Sequence, residues 1–235
     1  MPVGSISAEV PKKDQSLGFH GLYEVFVQPT SFFARLKQDP KILVPYLVGF
    51  LFMIVVVMFT ADMIARMQIE ELHRQAADNP NIPQNVNPQI IKTTIMVLGP
   101  IFWLLSPLLI AGLAYFWGNF VMAGRATYRQ LLSVALYGEI IYLVGGLILL
   151  PLMLAKDSVL VTLSLAALVT PDPQSLVWVA LSKISVFLIW EVVAVGIGLT
   201  AIYGFSRNKG YLLSVLSVGL ISALHVCLTA IRTLF

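Results

Sequence analysis

Residues 176–204 read LVWVALSKISVFLIWEVVAVGIGLTAIYG. The stretch is longer than the ~20 apolar residues that cross a hydrocarbon core at about 1.5 Å per residue. Within it lie Lys183 and Glu191. A charged side chain near the bilayer centre costs roughly 2.5–3.5 kcal/mol on insertion scales. Both residues must therefore face protein or water, which a lone helix in lipid does not offer. The stretch predicts a bundle of membrane helices with a partly polar interior.

Composition points the same way. Of 235 residues, 58% are hydrophobic and 11% charged, against about 25% charged in a soluble domain. Mean hydropathy is +0.86. Lipid must solvate much of that apolar surface. The net charge of +3 fits anchoring charges beside a membrane better than nucleic-acid binding, and no basic patch with interleaved aromatics occurs. Cys227 is the single cysteine and reads as a buried small hydrophobe.

Four more segments have the length and polarity of spans: 42–60, 94–118, 131–154 and 211–231. The apolar run 158–169 is too short to cross and reads as an interfacial or re-entrant helix. Residues 61–78 have helical spacing and should prolong the first helix beyond the membrane. Residues 1–20 are polar, carry no apolar leader, and read as a disordered tail. The first span would then direct insertion. In 21–39, Thr30 or Ser31 can cap a short helix after Pro29. Phe32, Phe33 and Leu36 share one face, with Arg35 and Lys37 off it. That pattern suits a helix lying among headgroups, or one packed on the bundle. The expected fold is all-α: a five-helix transmembrane bundle with an N-terminal interfacial amphipathic helix.

An odd number of crossings puts the termini on opposite sides. On the N-terminal side stand Lys12, Lys13, Arg35, Lys37, Lys41, Arg125, Arg129, Arg207 and Lys209. Arg66, Arg74, Lys92, Lys156 and Arg232 stand opposite. This bias of nine to five predicts a cytoplasmic N-terminus and an outside C-terminus.

Glu139, Lys183, Glu191 and His225 are the ionisable groups inside the spans. Glu191 and His225 come at about 19 and about 21 Å from the cytoplasmic ends of their antiparallel helices, so they match in depth. Glu139 is shallower. The cluster reads either as a polar staple fixing helix register or as an ion or proton path. Lys183 has a further option, reaching outward to the interface. Ala194-x-x-x-Gly198 offers a small-residue face, with Gly219-x-x-x-Ala223 as a candidate counterpart. Gly145-Gly146 marks another close contact.

No nucleophile elbow, zinc-protease motif, phosphate loop or dinucleotide fingerprint occurs. Glu71 and His73, two apart, cannot share a helix face to bind a metal. Enzymatic activity, a cofactor and a metal are not expected.

Three stretches resemble the Yip (Ypt-interacting) domain membrane proteins in their bacterial form. They are VFVQPTSFFARLKQDPKILVPYLVG (25–49), FWGNFVMAGRATYRQLLSVALYGEI (116–140) and SVFLIWEVVAVGIGLTAIYGFSRNKGYLLSV (185–215). The resemblance implies five spans, a cytoplasmic N-terminus and no catalysis. Eukaryotic members act in vesicle traffic with small GTPases and carry Asp-Leu-Tyr-Gly-Pro before the membrane. This chain lacks that motif, since Leu136-Tyr137-Gly138 lies inside a span. Some bacterial relatives are thought to assist transporter assembly. The expectation is a non-enzymatic multipass protein of a bacterial inner membrane that scaffolds or assists other membrane components. Its partners would be the lipid bilayer and either another membrane protein or a second copy, not nucleic acid. The alternative is a small transporter or channel using Glu139, Lys183, Glu191 and His225.

Overall fold

The computed structural model describes residues 17–79, 81, 83 and 85–234. Of the expected tail, residues 1–16 lie outside the described residues, and 17–20 open a helix. That helix, α1 (Leu17–Val27), is followed by α2 (Pro29–Leu36), α3 (Leu43–Asp78), α4 (Pro88–Tyr115), α5 (Tyr128–Lys156), α6 (Leu176–Ser182), α7 (Val186–Tyr203), α8 (Arg207–Ser214) and α9 (Leu220–Leu234). Wider π-type turns continue α4 over Phe116–Val121 and join α8 to α9 over Val215–Gly219. Among the described residues no strand occurs. Among the described residues, five helical stretches are long and apolar enough to cross a membrane: Leu43–Ala77, Pro88–Val121, Tyr128–Lys156, Val186–Tyr203 and Arg207–Leu228. The chain is a multipass integral membrane protein.

The centre is α5, which packs on α3, α4 and α7. Every residue from 131 to 141 is buried. The helix is apolar on all sides, and such a helix is stable only when neighbours surround it. Its start is set by a capping box: Thr127 and Gln130 each accept a backbone N–H of the other. The helix ends at Asp157 in the left-handed region, φ 47°. α4 begins earlier than expected, because Asn87 accepts the N–H of Gln89 and Pro88 fits the first turn. α3 runs unbroken for 36 residues, so its polar second half does prolong the first span.

Two expectations change. The stretch 176–204 is not one helix but breaks between α6 and α7. Ser185 is extended there, and its hydroxyl accepts the Leu188 N–H to restart the helix. Freed backbone groups inside a membrane need protein partners, and the short segment before α6 supplies them. Leu165 N–H donates to Ile184 O and Val186 N–H donates to Leu163 O, both at 3.1 Å. This same pairing explains why 158–169 is irregular and not α-helical, with a single bridge at Ser164 and a short 3₁₀ turn over Leu165–Leu168. A helix there would have consumed the groups that hold the break.

α2 is amphipathic, but Phe32, Phe33 and Leu36 are fully buried in the bundle and do not meet headgroups. Phe32 packs edge-on against Tyr137 of α5, ring centres 4.7 Å apart. Phe33 lies against Gly198 of α7. Burying two Phe side chains against protein gains packing contacts that mobile headgroups do not offer. The polar face stays out: Arg35 pairs with Glu24 at 2.6 Å, and Lys37 Nζ donates to Ala201 O at 3.1 Å.

The small-residue contact also differs from expectation. Gly196 of α7 faces Tyr211, and Gly210 of α8 faces Gly196 O and Thr200. Among the described residues, a Cβ at Gly219 would meet only Val215 of its own helix. Gly145 lies under Phe187, whereas a Cβ added at Gly146 would meet no other part of the bundle within 4 Å among the described residues. Gly204, φ 70°, ends α7 and turns the chain back into α8.

Candidate functional site

The polar interior is built where α4, α5, α7 and the last span meet. Glu139 on α5 is 5% exposed and Glu191 on α7 is 3% exposed. Gly138 lets α7 approach α5 closely, since a Cβ there would meet Val195 Cγ2 at 2.4 Å, and the Glu191 stem lies at ordinary contact distance, 3.6 Å, from the same position. Both carboxyls line one cavity of about 190 Å³ with Ser106, Tyr142, Ser182, Lys183, Ser185 and Ser222. Ser106 donates its hydroxyl proton to Glu139. Glu191 makes no hydrogen bond or ion pair among the described residues, and Lys183 pairs with neither carboxylate.

The helix break shapes this cavity. Lys183 follows the last turn of α6, and Ser185 precedes the first turn of α7. The π-type turns of the last span contribute Val218. Such turns insert an extra residue and displace the helix surface, and they recur at functional sites. A second cavity of about 430 Å³ adjoins the first, sharing Tyr142, Ser182, Lys183 and Ser185. It extends past Trp178 to Val159–Leu163 and Met67.

Three of the four ionisable residues singled out in the sequence thus share one cavity. The His225 side chain lies outside the described residues. The last span is represented in the lining by Ser222, one turn earlier. The hydroxyls of Ser106, Ser182, Ser185, Ser222 and Tyr142 went unnoticed in the sequence. Ser182 and Ser185 flanking Lys183 within an apolar run were the available signal. Ser106 had none beyond its place before Pro107. No group of three His, Cys, Asp or Glu able to hold a metal exists among the described residues.

Residues 23–231 match the Yip1 domain. The chain belongs to the Yip1 domain family. It is 25% identical over 202 residues to membrane protein YknW of Bacillus subtilis (strain 168), covering 85% of this chain and 86% of that one. No solved structure matches it.

The three stretches that carry the Yip1 resemblance meet in space. Gln130 Nε2 donates to Lys37 O at 2.8 Å, and Ser133 Oγ donates to Lys41 O. Tyr203 donates to Ala114 O at 3.1 Å and stacks on Phe205, ring centres 4.7 Å apart and 5° from parallel. Gly118 and Gly124 leave room for that Tyr203 ring. The Asn119 side chain bridges to Ala126 through both its N–H and backbone O, closing the 119–126 turn. These contacts tie α2, α5 and α7 together through aromatic, glycine and main-chain groups, and the carboxyl pair belongs to two of the same stretches, Glu139 to 116–140 and Glu191 to 185–215.

Proposed function

We propose that this Yip1-domain protein is a non-enzymatic scaffold that assists assembly of another membrane protein. We place it in a bacterial inner membrane with its N-terminus in the cytoplasm and its C-terminus outside. The observation that carries the reading is the length of α3. Its 36 residues span about 54 Å, against a hydrocarbon thickness of about 30 Å. Roughly 24 Å of helix is left to stand clear of the membrane as an arm. That arm displays Gln68, Glu70, Glu71, Arg74 and Gln75 along a cleft of about 570 Å³, closed on the far side by Pro171, Pro173 and Gln174. A charged helix face beside a preformed cleft suits the extramembrane loop of a partner. Ion pairs brace the base of the arm: Lys92 to Asp62 at 2.8 Å, and Arg66 to Asp157.

The test is photo-crosslinking in native membranes from positions 68, 71 and 75. The expected result is one discrete membrane-protein adduct that a lipid-facing probe at position 51 does not give. Charge reversal at Glu70 and Glu71 should lower the recovered amount of that partner. If the three arm positions give no adduct beyond the position-51 control, the scaffold reading fails.

A further inference from the structure

We infer that the cavity between Glu139 and Glu191 is a binding site for one alkali metal cation. Both carboxyls are more than nine-tenths buried, and Glu191 faces the cavity with no hydrogen-bond or ion-pair partner among the described residues. A buried carboxylate left unpaired is costly, and the structure offers space in place of a partner. The described lining carries two carboxyls and one amine, Lys183. Electroneutrality is reached by one further unit of positive charge.

The donor set selects the kind of cation. Every other polar side chain in the lining among the described residues is a hydroxyl: Ser106, Tyr142, Ser182, Ser185 and Ser222. Carboxylate and hydroxyl oxygens suit hard cations and not thiophilic or imidazole-seeking metals. A cavity of about 190 Å³ holds an ion together with several waters, which fits an alkali ion that keeps part of its hydration shell. The adjoining cavity of about 430 Å³ reaches the Val159–Leu163 segment, so the site has an approach from the arm side of the bundle. Lys183 stands where the two cavities meet. This site is independent of the arm, and either can fail without the other.

The experiment uses the full chain purified in a mild detergent. Thermal unfolding is followed in sodium, potassium, lithium and choline chlorides at one ionic strength, alongside equilibrium binding of radiolabelled sodium and of rubidium as the potassium surrogate. The expected result is saturable binding of one ion per chain. The midpoint should rise by about 5–10 °C over choline at a concentration a hundred times the dissociation constant. Glu191→Gln should abolish both effects, giving one midpoint in all four chlorides that is no lower than the wild type's in choline, because the buried unpaired charge is gone. Ser222→Ala, a milder change, should weaken binding about tenfold, so the assignment stays testable if Glu191→Gln does not fold. A midpoint equal in all four chlorides with no saturable binding overturns the inference and leaves a proton as the balancing charge. Undiminished binding in Ser222→Ala together with Glu191→Gln or Glu139→Gln also overturns it.

Discussion

Replacing Gly210 by alanine should loosen the α7–α8 hairpin. A Cβ at 210 would come 2.9 Å from the Gly196 carbonyl oxygen and 3.0 Å from Thr200 Cβ, and closer still to Thr200 Oγ1. That hydroxyl already donates to Gly196 O at 2.8 Å. The methyl must therefore push the helices apart or displace Thr200 from its hydrogen bond. Overpacking costs about 1–3 kcal/mol, and a lost hydrogen bond about 0.5–1.5 kcal/mol. Alanine recovers up to about 1 kcal/mol of helix propensity. The net expectation is a loss of about 1–3 kcal/mol, read as a fall of about 3–10 °C in the midpoint of thermal unfolding in detergent. Gly146→Ala is the matched control. It lies inside α5, where an added Cβ would meet no other part of the bundle within 4 Å among the described residues, so propensity alone should raise stability by up to about 1 kcal/mol. Adding Thr200→Ala to Gly210→Ala removes the nearest clash and should recover part of the loss, a coupling the double-mutant cycle measures. A Gly210→Ala protein as stable as wild type, with the control behaving as expected, would refute the close approach of these helices.

Two further outcomes follow from the N-terminal half. Phe32→Ala should cost about 3–5 kcal/mol, the range for a phenylalanine removed from a packed core, whereas a headgroup-facing side chain would lose far less; the same unfolding assay separates the two. Thr127→Ala removes one half of the capping box of α5 and should cost about 1 kcal/mol, while Thr127→Ser should be nearly silent in the same measurement.

Membrane residence, the number of crossings and the polar prolongation of α3 were legible in the sequence. Each depends on a local sum: transfer free energy accumulates residue by residue, and a run long enough to span is visible wherever it occurs. A short helix near Pro29 was legible too, but not its start: Pro29 itself occupies the first turn, Gln28 precedes it without a side-chain cap, and Thr30 and Ser31, expected as caps, lie inside the helix. The ionisable residues also announced themselves, because a charge in an apolar run is costly unless it turns inward.

What the tertiary structure decided is every feature whose partner lies far along the chain. The break at Lys183–Ser185 exists because Leu163 and Leu165 hold the opened backbone, and hydropathy treats a broken and an unbroken apolar run alike. Phe32 and Phe33 turn inward because Tyr137 and Gly198 are there to receive them, although their spacing fits headgroups equally well. Gly196 found Gly210 and not Gly219, since the turn at Gly204 sets which residues come level. Glu139, Lys183 and Glu191 share one cavity because the helix break sets Lys183 beside the start of α7, and α7 packs closely on α5 where Gly138 makes room for Val195. Burial can be summed along a chain, but hydrogen-bond closure and close packing are properties of pairs, and those pairs form only when the bundle does.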